Sequence, residues 1–434
     1  MPPSPPPQLN PGSQSTSTLH LHAELLPNIR QLTLYISTPT NVPSTDLNIA
    51  LSESRRAVSI SLGSDDPITM KLPARVNQTS HRILHLNPTT LPQTQPRASQ
   101  GQYSFRMQVD DSHNNDDTIL LKDDDPLDGY VPWTATDMSS ETRLRCLKCG
   151  GEVLGEGKVW KDLPSGNWAE MMDFWHCHKP DPPKGERGGD GEEETNAVVK
   201  GYGAANQVVA TSGTVLVDVA GFLVAGVDCL GVKQIPDDDD DTTNPQPEAD
   251  KIHCSTCTTQ LGIHDPIANG HRLFKTRLSA STSSPSSPED PTAITWSHHS
   301  PETIISAQLL ELIDRESARR FIIHCDNKTG LLIWIFSPTL RYSNASSTHS
   351  IAAQRAMKVF YQTLGEDAIE GMLHPEPGVS SLAAVEEVKL MREEFEAFAG
   401  VLEASSALLP LEARVFREWS VGLVRRFERR GGRG

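Results

Sequence analysis

The amino-acid sequence predicts an α+β protein, with a β-rich N-terminal and middle region stapled by two CxxC pairs and a helical C-terminal third. Three observations lead to this prediction. Short runs with period-two hydrophobicity recur before residue 110, two CxxC pairs follow in the middle of the chain, and helical periodicity appears after residue 300. Strands that come early and helices that come late are typical of the α+β class.

Composition limits the classes of function. A chain of 434 residues has room for two or three domains. Its seven cysteines, with no signal peptide at the start, favour a reducing compartment, with the cytoplasm expected first and the nucleus second. The longest apolar run, residues 213–227, contains glycines and Asp218, so it predicts a buried strand and no membrane span. The net charge of −17 disfavours extensive direct binding to nucleic acid, which needs a basic face.

Shifts in composition divide the chain into a predicted series of regions. Segments rich in Pro, Gly, Ser or Asp cannot bury enough apolar surface to offset their ordering entropy, so we expect disordered insertions near 180–197 and 236–250. The regions in chain order are a disordered Pro-rich tail (1–18), a β-rich region (19–130), a Trp/Cys-rich zinc-stapled region (131–278), a flexible Ser/Pro-rich loop (279–292), an α+β C-terminal region (293–429) and a basic tail (430–434).

The β-rich region is predicted from alternating apolar and polar residues between clusters of turn residues. This spacing indicates a sandwich or a curled antiparallel sheet. The predicted strands are Leu32–Ser37, Leu47–Leu51, Ala57–Leu62, Ile68–Leu72, Arg82–Leu86 and Tyr103–Val109.

The C-terminal third contains a helix start and a hairpin signature. Ser300 is a good capping residue and Pro301 suits the first helical position. Asp326-Asn327-Lys328-Thr329-Gly330 separates the apolar runs Phe321–His324 and Leu331–Phe336, as in a β-hairpin. Further amphipathic helices are predicted over Ile351–Leu364, Ser381–Ala404 and Leu411–Arg429.

The two CxxC pairs predict a metal site. Cys146 and Cys149 form the first pair, and Cys254 and Cys257 form the second. A two-residue spacer lets both sulfurs of a tight turn face one metal ion, and four thiolates suit the tetrahedral coordination of structural Zn²⁺. The alternatives are a redox-active pair and ordinary buried or surface thiols.

The segment after the first pair has a helical pattern of large apolar residues. Trp168, Met172 and Trp175 fall on one face of the predicted helix. This face either belongs to the core beside the metal site or binds a partner, since Trp and Met are enriched at interface hot spots.

The tripeptide His176-Cys177-His178 adds further groups that can bind metal. These residues are alternative ligands, or they support the ligands through hydrogen bonds, or Cys177 is a reactive nucleophile. Cys229 and Cys325 lie in apolar contexts and are predicted to be core thiols. No sequence motif of a zinc protease, serine hydrolase, P-loop or dinucleotide-binding protein is present.

Several of these residues occur together in one known family. The combination comprises Val131-Pro132-Trp133 before the first CxxC pair, Leu163-Pro164-Ser165 leading to Trp168, Trp175, Cys177 and His178, and the second CxxC pair followed by Leu261-Gly262. In these features the chain resembles the HECT-like ubiquitin-conjugating-enzyme (E2)-binding family of E3 ubiquitin-protein ligases.

The resemblance implies a protein that binds a ubiquitin-conjugating enzyme and ubiquitin and promotes ubiquitin transfer to protein substrates. A true HECT domain accepts ubiquitin on a cysteine near its C-terminus, whereas no cysteine follows Cys325 here. Thioester transfer needs an accessible, activated thiolate. Cys177 is the weak candidate for that role, so the sequence favours an adaptor that presents the charged conjugating enzyme.

The resemblance also implies an alternative of another class. Members of the family associate with the pre-mRNA 3′-end processing machinery, where a cysteine-bearing segment near the first CxxC pair occupies and inhibits the metal site of the cleavage endonuclease. A thiolate is a suitable ligand for an open zinc position. This alternative conflicts with the staple, because Cys146 and Cys149 cannot serve both metals at once.

Overall fold

The computed structural model describes residues 19–39, 47–85, 101–110, 129–163, 208–236, 250–282, 294–375 and 385–429. The chain divides into two compact units. Unit 1 comprises Met1–Asp124 and Arg320–Arg425, and unit 2 comprises Asp125–Arg319 and Arg426–Gly434. Unit 1 is therefore assembled from two separate stretches of the chain.

Most of the regular secondary structure in the described residues is β-strand. The strands of unit 1 are β1 His20–Leu26, β2 Gln31–Ser37, β3 Leu47–Leu51, β4 Ala57–Leu62, β5 Ile68–Lys71, β6 Gln102–Gln108, β18 Arg320–His324, β19 Thr329–Ser346, β20 Ser350–Gly365, β21 Glu386–Lys389, β22 Val415–Phe416 and β23 Trp419–Arg425. Those of unit 2 are β7 Leu144–Cys146, β8 Glu152–Leu154, β9 Val159–Asp162, β10 Thr214–Val217, β11 Gly221–Val224, β12 Val232–Ile235, β13 Lys251–Cys254, β14 Gln260–Asp265, β15 Gly270–Phe274, β16 Leu278–Thr282 and β17 Thr295–Ser297.

Few helices accompany these strands. The α-helices of the described residues are α1 Gln78–His85, α2 Pro301–Glu316, α3 Glu366–Leu373 and α4 Arg392–Ala407. Single 3₁₀ turns lie at Pro27–Ile29, Ala135–Asp137, Gly226–Asp228, Lys275–Arg277 and Leu411–Ala413. None of the helices in the described ranges is long and apolar enough to cross a membrane.

Strand β19 is the longest strand of the large sheet of unit 1 and pairs with three others. Nine strands form this sheet, in the order β22-β23-β20-β19-β1-β2-β6, with β18 and β21 added beside the first part of β19. Over its 18 residues β19 pairs along one edge with β20, and along the other edge first with β18 and then with β1. The N-terminal strand β1 is thereby fixed between β2 and a strand some 300 residues later in the chain, as in the pair His20↔Ser346.

One face of this sheet packs on the three-stranded sheet β3-β4-β5. The alternating apolar residues of β1, β2 and β6 supply one side of the shared core, and those of β3 to β5 supply the other. Leu21, Leu34, Val58, Ile60 and Phe105 are among its fully or almost fully buried members. The predicted β-rich N-terminal region thus has two packed layers of sheet.

Unit 2 contains two further sheets. Seven strands form one sheet, in the order β12-β13-β14-β15-β11-β10-β9, and four strands form the other, in the order β17-β16-β7-β8. All pairs are antiparallel except β9 with β10. A single apolar core, which includes Leu144, Val153, Phe222, Ile252 and Leu261, contains residues of both sheets.

The prediction of a helical C-terminal third and of the α+β class is not well supported, because the described fold is mostly β-sheet with few helices. Ile351–Leu364 lies in strand β20, and Leu411–Arg429 contains β22 and β23. Within Ser381–Ala404, β21 precedes the helix α4. The run of Ala, Gln, Arg, Met and Lys in β20 has good helix propensity, but hydrogen bonding to β19 and β23 on its two edges outweighs this weak preference.

Other local predictions are confirmed. Helix α2 begins after Ser300, whose hydroxyl accepts a hydrogen bond from the Thr303 N–H. The predicted hairpin is formed by β18 and β19. The predicted strand Arg82–Leu86 is wrong as far as the structure describes it: residues 82–85 lie in α1, where the Asn77 side chain accepts a hydrogen bond from the Ser80 N–H at the start of the helix, and Leu86 lies outside the described residues.

We predict that Gly262→Ala strongly destabilises unit 2. A Cβ atom at Gly262 would lie 2.0 Å from the Arg272 carbonyl oxygen on β15, and that backbone cannot move without disrupting the β14–β15 ladder. The expected loss in free energy of unfolding is about 3 kcal/mol or more, at or above the upper end of overpacking costs. Thermal or urea unfolding measures it.

The matched control is Gly155→Ala, the equivalent glycine after the first CxxC pair. A Cβ there would have its nearest neighbour, Leu230 Cδ1, at 3.6 Å, which is ordinary contact. We expect a change within about 0.5 kcal/mol. Equal stability of both variants would contradict the described approach of β14 and β15.

Candidate metal centre

The first CxxC pair lies in the turn of a short hairpin. Cys146 ends β7 and Cys149 is exposed in the turn before β8. The Gly150 N–H donates to the Cys146 carbonyl, and the Cys146 N–H donates to the Gly151 carbonyl, at 2.9 and 2.8 Å. Gly150 has φ +74°, which a glycine adopts without strain. These bonds fold the spacer so that both sulfurs point to the same side of the turn.

The second pair adopts the same conformation. Cys254 ends β13, the Thr258 N–H donates to its carbonyl at 3.0 Å, and its own N–H donates to the Thr259 carbonyl at 2.9 Å. Thr258 stands where the first pair has Gly150 and has φ +58°. A β-branched residue in the left-handed region costs roughly 1–3 kcal/mol, so the surrounding structure imposes this turn against local preference.

The four sulfurs converge. Cys146 Sγ lies 3.7 Å from Cys257 Sγ, and Cys149 Sγ lies 3.5 Å from Cys254 Sγ. All four sulfur atoms, which we call the four-cysteine cluster, lie within 4.8 Å of one another. Four metal–sulfur bonds of about 2.3 Å in tetrahedral geometry place sulfurs roughly 3.5–4 Å apart. The four-cysteine cluster therefore has the donor set and the spacing to hold one metal ion.

A short backbone bridge fixes the distance between the two pairs. The Leu230 N–H donates to the Val153 carbonyl on β8, and the next residue, Gly231, accepts from the Ser255 N–H in the second pair, both at 2.8 Å. Gly231 has φ +55°, and a Cβ there would lie 2.8 Å from the Glu152 carbonyl oxygen. The positive φ disfavours a side chain and the close approach to the Glu152 carbonyl oxygen excludes one, so a glycine is needed for the bridge to pass between the two hairpins.

The pKa values of the cluster thiols are shifted in different directions by their surroundings. Burial raises the pKa of the Cys146 thiol to about 12, whereas the hydroxyl and N–H of Thr259 lower the pKa of Cys257 to about 6. Thr259 Oγ1 lies 3.3 Å from Cys257 Sγ. A bound cation deprotonates coordinating thiols outright, and four thiolates this close together require such a charge between them.

The two described cysteines outside the cluster are not activated. Burial raises the pKa of Cys229 to about 12, with a further contribution from Asp228. Burial and the neighbouring Asp326 also raise the pKa of Cys325. A thiol with a raised pKa is a poor nucleophile at neutral pH. The sequence predicted that both residues are core thiols. In the structure both are only partly buried, so they lie at the margin of the core.

Sequence reasoning missed Lys275, which lies in a buried aromatic group with Trp133 and Phe222. Trp133, in the Val131-Pro132-Trp133 turn, has φ +56° and stacks on Phe222, with ring centroids 6.2 Å apart. Lys275 is fully buried, donates to the Pro132 carbonyl at 2.9 Å and lies 5.4 Å from the Phe222 ring centre. Burial lowers the pKa of Lys275 to about 7. Because Lys275 simply follows a strand, nothing in the sequence signals that its side chain is buried and hydrogen-bonded to the Pro132 carbonyl.

Some of the predicted site residues lie outside the described residues. They are the predicted helix-face residues Trp168, Met172 and Trp175, and the alternative ligands and nucleophile His176, Cys177 and His178. Their roles stay predictions.

Comparison with known proteins gives one family and two relatives. The family model described as HECT-like ubiquitin-conjugating enzyme (E2)-binding matches residues 24–421. An uncharacterized protein of Schizosaccharomyces pombe is 24% identical over 311 residues, which cover 69% of this chain and 78% of that protein. An uncharacterized protein of Saccharomyces cerevisiae is 26% identical over 293 residues, which cover 67% of this chain and 71% of that protein. No solved structure matches the chain.

We predict one metal ion per chain, held by the four-cysteine cluster. Native mass spectrometry of the purified protein is expected to show the chain plus one divalent ion, and Cys149→Ser is expected to lose the ion because three thiolates bind it less tightly. Chelation is expected to lower the melting temperature of the wild type.

The matched control is Cys325→Ser, which removes a thiol of unit 1 that lies outside the four-cysteine cluster. It is expected to keep the ion. A wild-type protein without metal, or a Cys149→Ser variant with full metal content, would contradict this assignment.

Proposed function

Because the chain belongs to the HECT-like ubiquitin-conjugating enzyme (E2)-binding family, we propose that it binds a ubiquitin-conjugating enzyme and promotes ubiquitin transfer to protein substrates. The observation that carries this proposal is the extent of the family match, residues 24–421, which includes strands of both units and all four cysteines of the four-cysteine cluster. Membership places the chain in the ubiquitin pathway; ligase activity is our inference from it.

The proposed mechanism is that of an adaptor. A covalent route would need a thiolate that attacks the thioester between ubiquitin and the conjugating enzyme, so that ubiquitin moves to a cysteine of this chain. Four described cysteines form the four-cysteine cluster and the other two, Cys229 and Cys325, have raised pKa values. An adaptor binds the charged enzyme and orients its thioester towards a substrate lysine, and it needs no cysteine of its own.

We propose that the four-cysteine cluster holds a structural Zn²⁺. Four sulfur ligands fill the tetrahedral coordination of zinc, so no position is left for water or substrate. The chemistry that such an ion supplies is structural, since it stabilises the folded state by the free energy of binding. Cys146 and Cys254 are both buried, and the cluster joins the hairpin β7–β8 of the four-stranded sheet to the hairpin β13–β14 of the seven-stranded sheet.

The four cysteines of the cluster also bear on the cellular compartment and on the alternative function. Cysteines that bind Zn²⁺ must not be oxidised to disulfides, which is compatible with a reducing compartment, so we propose the cytoplasm, with the nucleus as a second location. We do not propose inhibition of the pre-mRNA cleavage endonuclease, because donating Cys146 or Cys149 to a partner's metal would open the four-cysteine cluster.

The test is discharge of ubiquitin from charged conjugating enzymes. We predict that the wild-type protein binds at least one member of a panel of conjugating enzymes and accelerates transfer of its ubiquitin to lysine. The Cys177→Ser variant is expected to keep this activity, since an adaptor uses no thioester. Gel assays with and without dithiothreitol measure both outcomes.

A matched control is the same assay with Cys325→Ser. A ubiquitin adduct on the wild-type chain that dithiothreitol removes, and that is missing from Cys177→Ser but present on Cys325→Ser, would refute the adaptor mechanism. Failure to bind any conjugating enzyme would refute the function itself.

A further inference from the structure

Three phenylalanines form a stacked row across unit 1. Phe336 on β19, Phe360 on β20 and Phe416 on β22 lie side by side, and we call them the aromatic ladder. The ring centroids of Phe336 and Phe360 are 5.1 Å apart, and those of Phe360 and Phe416 are 5.0 Å apart. The rings are nearly parallel, at 25° and 16°. Stacking of this kind fixes the rings in one row across three strands.

The backbone is irregular where the ladder begins. The register of β19 and β20 passes from Ile335↔Val359 directly to Ser337↔Lys358, so Phe336 is a bulge residue without a partner. A bulge re-aims the side chain of the extra residue, and bulges are common beside functional sites. Here the bulge directs Phe336 to the surface.

The two ends of the ladder are exposed to solvent. Phe336 is 48% exposed and Phe416 is 43% exposed, whereas the central Phe360 is 4% exposed. Val415, next to Phe416 on β22, is 60% exposed. Single exposed apolar residues are normal on a protein surface, but a fixed row of aromatic rings with exposed ends has the composition of an interaction hot spot.

Two arginine side chains lie over aromatic rings at the ladder: Arg417 over a ladder ring, and Arg320 over a tryptophan that contacts the ladder. The guanidinium of Arg417 lies 5.5 Å from the Phe416 ring centre, and that of Arg320 lies 5.6 Å from the ring centre of Trp334, which contacts Phe360 edge to face. Arg417 adopts φ +56° in the turn between β22 and β23, a strained conformation for a residue with a side chain. Among the described residues no carboxylate forms an ion pair with either guanidinium.

We infer that the aromatic ladder is the surface on which the ubiquitin-conjugating enzyme docks. This inference rests on the proposed function, which supplies the partner, and adds the place and the chemistry of contact. The Arg417 guanidinium beside the exposed Phe416 and the Arg320 guanidinium over Trp334 place positive charge at the border of the ladder, which complements an apolar surface of the partner that is bordered by carboxylates. The rings provide the buried centre of the interface and Arg320 and Arg417 provide its polar rim.

The experiment measures binding of the conjugating enzyme that the wild-type chain recognises. The double variant Phe336→Ala/Phe416→Ala is expected to bind it at least ~10-fold more weakly, because hot-spot aromatics carry most of the affinity. Arg417→Glu is expected to weaken binding and to reduce its salt dependence, since it removes an attractive charge from the rim. Both are surface changes, and unaltered melting temperatures verify the fold.

The matched control is Val227→Ser, which removes an 84% exposed apolar side chain of unit 2 and is expected to bind as the wild type does. If the wild type binds the conjugating enzyme, and Phe336→Ala/Phe416→Ala and Arg417→Glu bind it with unchanged affinity, the docking site is overturned and the proposed function stays intact. A wild-type chain that binds no conjugating enzyme would remove both. If the double variant fails to fold, the affinity of Arg417→Glu for the conjugating enzyme decides: weaker binding than the wild type supports the docking site, and equal binding overturns it.

Discussion

Unit 2 depends on the convergence of four sulfur atoms from two hairpins. Cys146 and Cys257 are 111 positions apart in sequence and their sulfurs are 3.7 Å apart. The two hairpins belong to different sheets, and the bridge through Leu230 and Gly231 ties both to one backbone segment. The left-handed Thr258 shows that this arrangement is maintained against a local conformational cost. A metal ion bound to all four sulfurs would offset that cost and the repulsion between thiolates.

The site was predictable from sequence where its determinants are local. A CxxC spacing specifies a tight turn with two sulfurs on one side, so the convergence of the four cysteines, whose sulfurs could hold a metal ion, could be predicted from the two CxxC pairs. The fold was less predictable, because its strands are fixed by distant partners. Nothing within Ile351–Leu364 indicates that it pairs with the preceding strand β19 on one edge and with β23, much later in the chain, on the other, and its residues favour a helix when considered by themselves. The burial of Lys275 likewise depends on Pro132, which is 143 positions away, and the bulge at Phe336 depends on the exact register of β19 with β20.

The chemistry of the described cysteines and the proposed function are consistent. Four thiols are placed to bind a metal, and the other two are partly buried beside a carboxylate that raises their pKa values further. None of the six described cysteines is a candidate for accepting ubiquitin, which agrees with the proposed adaptor that positions another enzyme's thioester. Positioning needs a rigid surface, and the aromatic ladder on the nine-stranded sheet of unit 1 has the fixed rings and flanking charges for it.

The central claim is that four cysteine sulfurs, and no other side chains, bind one zinc ion. X-ray absorption spectroscopy at the zinc edge of the purified full-length protein tests it most directly, because it reports both the type and the number of ligand atoms. The account predicts four sulfur ligands at about 2.3 Å. A mixed shell with nitrogen at about 2.0–2.1 Å would contradict it and would point to His176 or His178 as a ligand in place of a cluster cysteine.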